Sequence, residues 1–199
     1  MNEHSVEARG PIGEARSAPA PGAGRGIDLQ IVRTRTEHDL LGEAEIPAEA
    51  YWGIHTLRAV ENFPITGVSV GHFPEFVRAL VMVKQAAARA NRRLGHLCEA
   101  KAKAIDQACE LIAADNRFLN QFVVDAVQGG AGTSTNMNAN EVVANVALEF
   151  MGLPRGDYAA LNPIDDVNMA QSTNDAYPTA LRLAVIFATA PLVLSLIHI

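Results

Sequence analysis

The feature that most constrains this fold is the spacing of apolar residues between residues 73 and 94. Apolar side chains recur there every three or four residues, as on one face of an α-helix, at Phe76, Leu80, Val83, Ala87, Ala90 and Leu94. Pro74 stands where a first helical turn begins, and Gly95 follows as a stop signal. The segment is therefore predicted to be an amphipathic helix whose apolar face packs on a core.

Three other stretches carry the same periodicity and lie between helix-breaking residues. They cover residues 99–114, residues 136–151 and a segment that begins near Pro178 and runs to the end of the chain. Residues 34–66 are predicted to form turns and one or two helical pieces, with Pro47 opening a helical turn. Because no segment shows sustained alternation of apolar and polar residues, the predicted fold class is all-α.

Composition limits what the chain can do. Its 199 residues leave room for one domain or slightly more. Hydrophobic residues make up 49% and charged residues 19%, a balance typical of a globular chain with a core. The net charge of -6 argues against a surface for nucleic acid. Residues 1–33 are rich in Ala, Gly, Pro and Glu without an apolar run, so we expect a disordered extension and not a secretory signal.

The end of the chain is strongly apolar. From Leu183 to Ile199 no Asp, Glu, Lys or Arg occurs. We interpret this segment as a core helix, because no second span accompanies it and a membrane-spanning helix needs about 20 apolar residues. No cap, glycine or charged last turn closes the helix, which indicates a truncated sequence. A cytoplasmic protein that does not enter a membrane is expected.

Cysteines, histidines and acidic residues show no pattern typical of a metal site. Cys98 and Cys109 lie in helical sequence and are expected to be buried, reduced thiols. The six histidines are scattered, without the spacing of helical metal ligands. Asp165 and Asp166 could form a metal pair, but a solvated loop is the simpler interpretation, so no metal is expected.

A glycine-rich segment, Gln128–Asn138, is the first candidate site. Its three glycines allow the backbone to approach a ligand closely, and Thr133, Ser134 and Thr135 lead from them into a helix. Free amides and hydroxyls at a helix start favour an anion, and the absence of a Gly-Lys-Ser/Thr element favours a carboxylate over a phosphate. The alternative is a capped helix start that binds nothing.

A second polar segment, Asp165–Thr179, carries Ser172, Thr173 and Asn174 in a row. These side chains are short, neutral and able to donate hydrogen bonds to a ligand. The alternative is again a helix cap, here ahead of Pro178.

Three stretches resemble hallmark motifs of the aspartase/fumarase superfamily. GGAGTSTNMNANEVVAN, residues Gly129–Asn145, is similar to the first, and NPIDDVNMAQSTNDAYPT, residues Asn162–Thr179, to the second. DLLGEAEIPAEAYWGIHTLRAVENFPI, residues Asp39–Ile65, resembles the N-terminal motif. The three matches stand in the superfamily's order. Within it, HTLRAVENF, residues His55–Phe63, looks more like the aspartate ammonia-lyase family than the fumarate hydratase family.

The resemblance implies a lyase that reversibly eliminates ammonia from L-aspartate to give fumarate, through an aci-carboxylate intermediate and without a cofactor. By motif, Thr133 matches the donor to the β-carboxylate. The residues that match further substrate contacts are Ser134, Ser172, Thr173 and Asn174. Arg58 matches an arginine that affects substrate binding, whereas Ala44 stands where some aspartases carry a second arginine.

The family's catalytic base is a serine in a GSSxMPxKxNP loop, and neither this loop nor the family's GRTHxQDAxP segment occurs in the sequence. The resemblance therefore implies a lyase N-terminal domain at 34–176 and the truncated start of a central helical bundle at 177–199, inactive by themselves. The full-length protein is expected to be a homotetramer whose sites combine three subunits. A class II fumarate hydratase and a non-catalytic truncated paralogue are the alternatives.

Overall fold

The computed structural model describes residues 33–198, so nearly all of the expected disordered extension, 1–33, lies outside the described residues. The described part is mostly helical, which confirms the predicted fold class. The helices are α1 (Ile54–Asn62), α2 (Pro74–Arg93), α3 (Glu99–Ala114), α4 (Thr133–Phe150) and α5 (Thr173–Ile197). Short 3-10 turns lie at Val70–His72 and Asn116–Gln121, and a π-helical turn at Pro163–Val167.

A small antiparallel hairpin precedes the helices, where turns and helical pieces were expected. Strands β1 (Thr34–Asp39) and β2 (Gly42–Pro47) pair with Thr34 opposite Pro47. Pro47 therefore ends a strand, and the prediction that it opens a helical turn is wrong. Only Glu37 and Ile46 are buried in the two strands, and because Glu37 is acidic the apolar alternation that marks a strand is missing.

The buried face of α2 differs from the predicted one in its second half. Phe76 and Leu80 are buried as expected, but Leu94 is 69% exposed. The buried stripe continues instead through Lys84, Ala88 and Asn91. An apolar spacing rule cannot find this stripe, because two of its members are polar and are satisfied by hydrogen bonds inside the protein.

Helix α4 is the centre of the core. Every residue from Asn138 to Leu148 is buried, and α1, α2, α3 and α5 all pack around it. Such a helix has no polar face to show to water, so its amide and acidic side chains must find partners inside the protein.

Helix α5 packs along α2 by its first half. Its buried residues are Ala176, Ala180 and Ala184, small enough to bring the two helices close together. Beyond Ala184 most apolar side chains are exposed, up to 70% at Ile197, whereas Phe187 still packs partly buried against the core. Among residues 33–198, α5 is the helix whose length and composition would suffice to cross a membrane, a test that a core helix of a soluble protein also passes.

Three side chains for which no role was expected have definite environments. Cys98 is exposed just before α3, so the expectation of two buried thiols is wrong for it. Cys109 is buried, and burial raises the pKa of its thiol. Asp166 is also buried, and its carboxylate accepts hydrogen bonds from Lys101 Nζ at 2.7 Å and from the amide of Asn162 at 2.8 Å. The carboxylate of Asp166 thus ties its turn to α3.

Candidate anion-binding site

The glycine loop before α4 is shaped for close contact with α5. Gly130 and Gly132 both have positive φ, +79° and +83°, and Gly132 is the residue from which α4 starts. A Cβ added to Gly132 would lie 2.1 Å from Cδ2 of Tyr177, which belongs to α5. Only glycine therefore fits both the backbone angle and the packing at this position.

The side chain of Gln128 closes the loop. Its Oε1 accepts a hydrogen bond of 3.0 Å from the amide of Thr135, and its Nε2 donates to Thr135 Oγ1. The amide of Asn136 bonds to the carbonyl oxygen of Gly132. Among the described residues, the amides of Thr133 and Ser134 have no acceptor. The start of α4 thus keeps two free donors at the positive end of its dipole.

Helix α5 starts beside this loop. Ser172 caps it, since Ser172 Oγ accepts a hydrogen bond of 3.2 Å from the amide of Asn174. The helix therefore begins at Thr173, ahead of the start expected near Pro178. The capping interpretation of Ser172 is correct, and it leaves the side chains of Thr173 and Asn174 available to a ligand.

Both helix starts border one cleft of ≈ 430 Å³. Its lining residues are Ala126, Val127, Gln128, Gly130, Ala131, Gly132, Asn174, Tyr177 and Pro178. All of these are uncharged, so the attraction for an anion comes from backbone amides, two helix dipoles and neutral donors. Such a cleft suits a carboxylate, which hydrogen-bond donors can bind without a positively charged side chain.

One of the six predicted site residues belongs to the lining of this cleft, and two others directly adjoin a lining residue in the sequence. Asn174 lines the cleft, and Thr133 directly follows the lining residue Gly132 at the first position of α4. Thr133 and Ser172 are exposed, whereas Ser134 and Thr173 are partly buried.

Arg58 does not line the cleft. It lies on α1, partly buried, and its Nε is 3.4 Å from Oδ2 of Asp39 at the end of β1. A role of Arg58 in substrate binding stays a prediction.

Glu141 of α4 holds the start of α1 and was not singled out from the sequence. Its fully buried carboxylate accepts hydrogen bonds from the amides of Gly53 at 2.8 Å, His55 at 2.9 Å and Thr56 at 3.1 Å. His55 Nδ1 also lies 2.9 Å from Glu141 Oε1, and this hydrogen bond is the main reason that the pKa of His55 is raised. The available signal was an acidic residue inside a stretch, Asn138–Leu148, that is otherwise apolar or amide-bearing.

Lys84 of α2 was likewise passed over, because it interrupts an apolar face. Its side chain is fully buried, and its Nζ lies between the two candidate segments. It donates hydrogen bonds to Asn136 Oδ1 at 2.6 Å, Asn168 Oδ1 at 2.8 Å and Gln171 Oε1 at 2.9 Å. The signal was a lysine four residues from the buried positions Leu80 and Ala88.

Comparisons with known proteins match this architecture. A family model described as Lyase matches residues 42–198. The chain is 61% identical over 167 residues to an aspartate ammonia-lyase from Pseudomonas aeruginosa, covering 83% of this chain and 35% of that protein. It resembles the structure of a fumarate lyase:delta crystallin from Brucella melitensis, with a TM-score of 0.76 and 60% identity over 78% of this chain and 36% of that chain. A class II fumarase from Schistosoma mansoni matches with a TM-score of 0.70 and 34% identity, covering 77% and 32%.

These matches extend over both helix starts that form the cleft, since the family model covers residues 42–198. The chain spans about a third of the length of the curated relatives it matches.

Proposed function

Because the chain belongs to the lyase family, within the aspartase/fumarase superfamily that its motifs resemble, we propose that the full-length protein is an aspartate ammonia-lyase. It converts L-aspartate reversibly to fumarate and ammonia, and residues 33–198 contribute the part that holds the β-carboxylate of the substrate. The identity of 56–61% to aspartate ammonia-lyases from several bacteria supports this choice, compared with 34% to a fumarase.

In this reaction a base removes a proton from the β-carbon, and the electron pair of the C–H bond moves into the neighbouring carboxylate. The resulting aci-carboxylate carries two negative charges. When its electrons return to form the carbon–carbon double bond, the bond between the α-carbon and nitrogen breaks and ammonia leaves. The barrier is lowered by donors aimed at the carboxylate, which bind the dianion more strongly than the substrate.

The observation that carries the proposal is that two helix starts with free donors meet at one cleft with an uncharged lining. The amides of Thr133 and Ser134 and the Thr133 hydroxyl supply hydrogen bonds at the start of α4. Thr173 and Asn174 supply side-chain donors at the start of α5. Because helix α4 fixes its first amides before the reaction, these donors can stabilise charge as it develops.

The other parts of the proposed enzyme come from the family resemblance. The base serine belongs to the part of the protein beyond this chain. Residues 34–176 form the N-terminal domain, and 177–199 begin the central bundle through which four identical subunits combine their sites. The enzyme works in the cytoplasm on a free dicarboxylate, without a cofactor, nucleic acid or membrane.

Replacing Thr133 tests the assigned donor. In the full-length protein, Thr133→Ala should lower kcat for aspartate by about 10²–10³-fold, because one donor to the developing dianion is lost. Steady-state formation of fumarate measures the effect. Thr34→Ala, which removes an exposed hydroxyl at the start of β1, should leave kcat unchanged. A loss of less than about tenfold in Thr133→Ala would contradict the role.

The product formed from fumarate distinguishes an aspartate ammonia-lyase from a fumarate hydratase. An aspartate ammonia-lyase forms aspartate from fumarate and ammonium, whereas a fumarate hydratase forms malate from fumarate and water. A full-length protein that forms neither product would be the non-catalytic paralogue.

A further inference from the structure

The ammonium group of Lys84 is surrounded by acceptors from three places in the chain. Asn136 lies in the first turns of α4, while Asn168 and Gln171 lie just before the cap of α5. The three N–O distances, 2.6, 2.8 and 2.9 Å, are those of strong hydrogen bonds from a charged donor. An ammonium has three hydrogens, so each one is used.

The orientation of the three amides is determined by their nitrogen atoms. Asn136 Nδ2 donates to Asn168 Oδ1 at 3.0 Å, and Asn168 Nδ2 donates to the carbonyl oxygen of Gln171 at 3.0 Å. Gln171 Nε2 donates to the carbonyl oxygen of Val167 at 2.8 Å. Since every nitrogen has an acceptor, the oxygens must face Lys84, and a neutral amine, which has two hydrogens, would lose one of the three hydrogen bonds to them.

Among residues 33–198, Lys84 forms no ion pair with a carboxylate. Desolvation by burial lowers the pKa of Lys84 to about 7, and the titratable group that acts on it in the opposite direction is the Cys109 thiol of α3. The faces of α4 and of the segment before α5 present neutral amides to it. A buried, unpaired cation opposes folding, so its presence between two binding segments favours a functional explanation.

We propose that Lys84 is a positioning residue that fastens the start of α4 to the segment leading into α5, and so sets the distance between Thr133 and Ser172–Asn174. This inference rests on the proposed function, since it assigns those residues to one substrate carboxylate.

The position of Lys84 explains why a single side chain can do this. Asn136 lies one turn, about 5 Å along the axis, from Thr133. Gln171 directly precedes the cap Ser172. A shift of either segment by about 1 Å misaligns donors with a developing charge and lowers a rate by up to about 100-fold. The ammonium therefore acts on catalysis through other residues and does not touch the substrate.

The first test measures the link itself and does not depend on the reaction. Amide hydrogen exchange is followed in the full-length protein, in Lys84→Met and in Lys103→Met, the matched control on the exposed side of α3. Lys84→Met should lose protection in both 128–136 and 168–176, with the remaining helices unchanged. Exchange equal to that of the control in either segment would overturn the proposal.

The second test is kinetic. Lys84→Met should lower kcat for aspartate at least tenfold while KM changes less than about threefold, because donors that act in the transition state are misaligned. An unchanged kcat would overturn the proposal. If the unsubstituted protein does not deaminate aspartate, the proposed function fails, and hydrogen exchange alone decides on the link.

A third variant tests the proposal even if Lys84→Met fails to fold. Gln171→Glu keeps Lys84 in place and gives it a carboxylate partner, which raises its pKa. The alkaline limb of log kcat/KM against pH should then move upward by about one pH unit or more. If the alkaline limb lies at the same pH in Gln171→Glu and in the unsubstituted protein, the proposal that the Lys84 ammonium positions the donors is overturned. A purely structural lysine would not shift the profile.

Discussion

The buried polar residues of this chain carry out two different tasks. Glu141 satisfies the free amides at the start of α1, where a carboxylate gains from the helix dipole. Lys84 faces only neutral oxygens, so its charge is solvated by the protein but not compensated. Because burial lowers the pKa of Lys84, this second arrangement makes the stability of the fold depend on pH.

Unfolding measured against pH tests the environment of Lys84. Its pKa falls from 10.5 in the unfolded chain to about 7 in the folded one. Between these values the unfolded chain binds a proton that the folded chain lacks, so a rise in pH stabilises the fold. Relative to Lys84→Met, the free energy of unfolding should rise by up to about 1.4 kcal/mol per pH unit in that window.

Urea unfolding from about pH 6 to about pH 10 measures this difference. Lys103→Met, which removes a solvent-exposed lysine, serves as the control and should follow the unsubstituted protein. Parallel curves for Lys84→Met and the unsubstituted protein would show that Lys84 is not desolvated.

At the scale of elements, the contact between α4 and α5 depends on one glycine. Gly132 gives α4 its left-handed start and at the same time leaves room for the ring of Tyr177. The ring of Tyr177 also packs edge-to-face on Phe76 of α2, with centroids 5.3 Å apart. The glycine loop, α5 and α2 are thus packed through one aromatic side chain.

A glycine-to-alanine pair separates backbone strain from this packing. Gly132→Ala and Gly152→Ala both place an alanine where the backbone φ is positive, but a Cβ at Gly152 meets nothing within 4 Å. Gly152→Ala should cost about 1–2 kcal/mol from the backbone alone. Gly132→Ala should cost clearly more, because the Tyr177 ring must move.

Thermal unfolding measures both variants, and the double variant Gly132→Ala with Tyr177→Ala adds a check. Removing the Tyr177 ring should relieve the clash, so that Gly132→Ala then costs only the free energy of the backbone strain. Equal losses of stability in Gly132→Ala and Gly152→Ala would show that the ring yields without cost.

At the scale of the whole molecule, the outer half of α5 is an apolar surface. Val185, Ile186, Leu194, Leu196 and Ile197 are each 60–70% exposed. A continuous patch of this kind is unusual for a soluble monomer and favours association. In the proposed enzyme the central bundle covers it.

The isolated chain should therefore self-associate, as measured by light scattering after size-exclusion chromatography. Leu194→Lys combined with Ile197→Lys should reduce association, because charge interrupts the patch. Leu41→Lys changes a side chain that is 79% exposed in the hairpin turn, far along the sequence from α5, and should have no effect. A monodisperse unsubstituted chain would contradict the prediction and favour the non-catalytic paralogue.

The sequence by itself determined α2 and α3 and located the two candidate segments, whereas α4 and α5 start before their predicted positions. The bounds of α2 and α3 follow from apolar spacing between Pro74 and Gly95 and between Glu99 and Asp115, signals that act within a few residues. The prediction that Gln128–Asn138 and Ser172–Asn174 bind an anion also rests on local chemistry, since glycines and caps at helix starts leave donors free, and it stays a prediction.

Only the tertiary structure decided which of these segments meet. The place of Lys84 and Asn91 on a buried face and the role of Glu141 depend on hydrogen bonds between residues far apart in the chain. A polar residue is acceptable in a core when distant partners satisfy it, and no local pattern reports where those partners lie. For the same reason, the meeting of Gly132 with Tyr177, which brings two helix starts to one cleft, could be seen only in the folded chain.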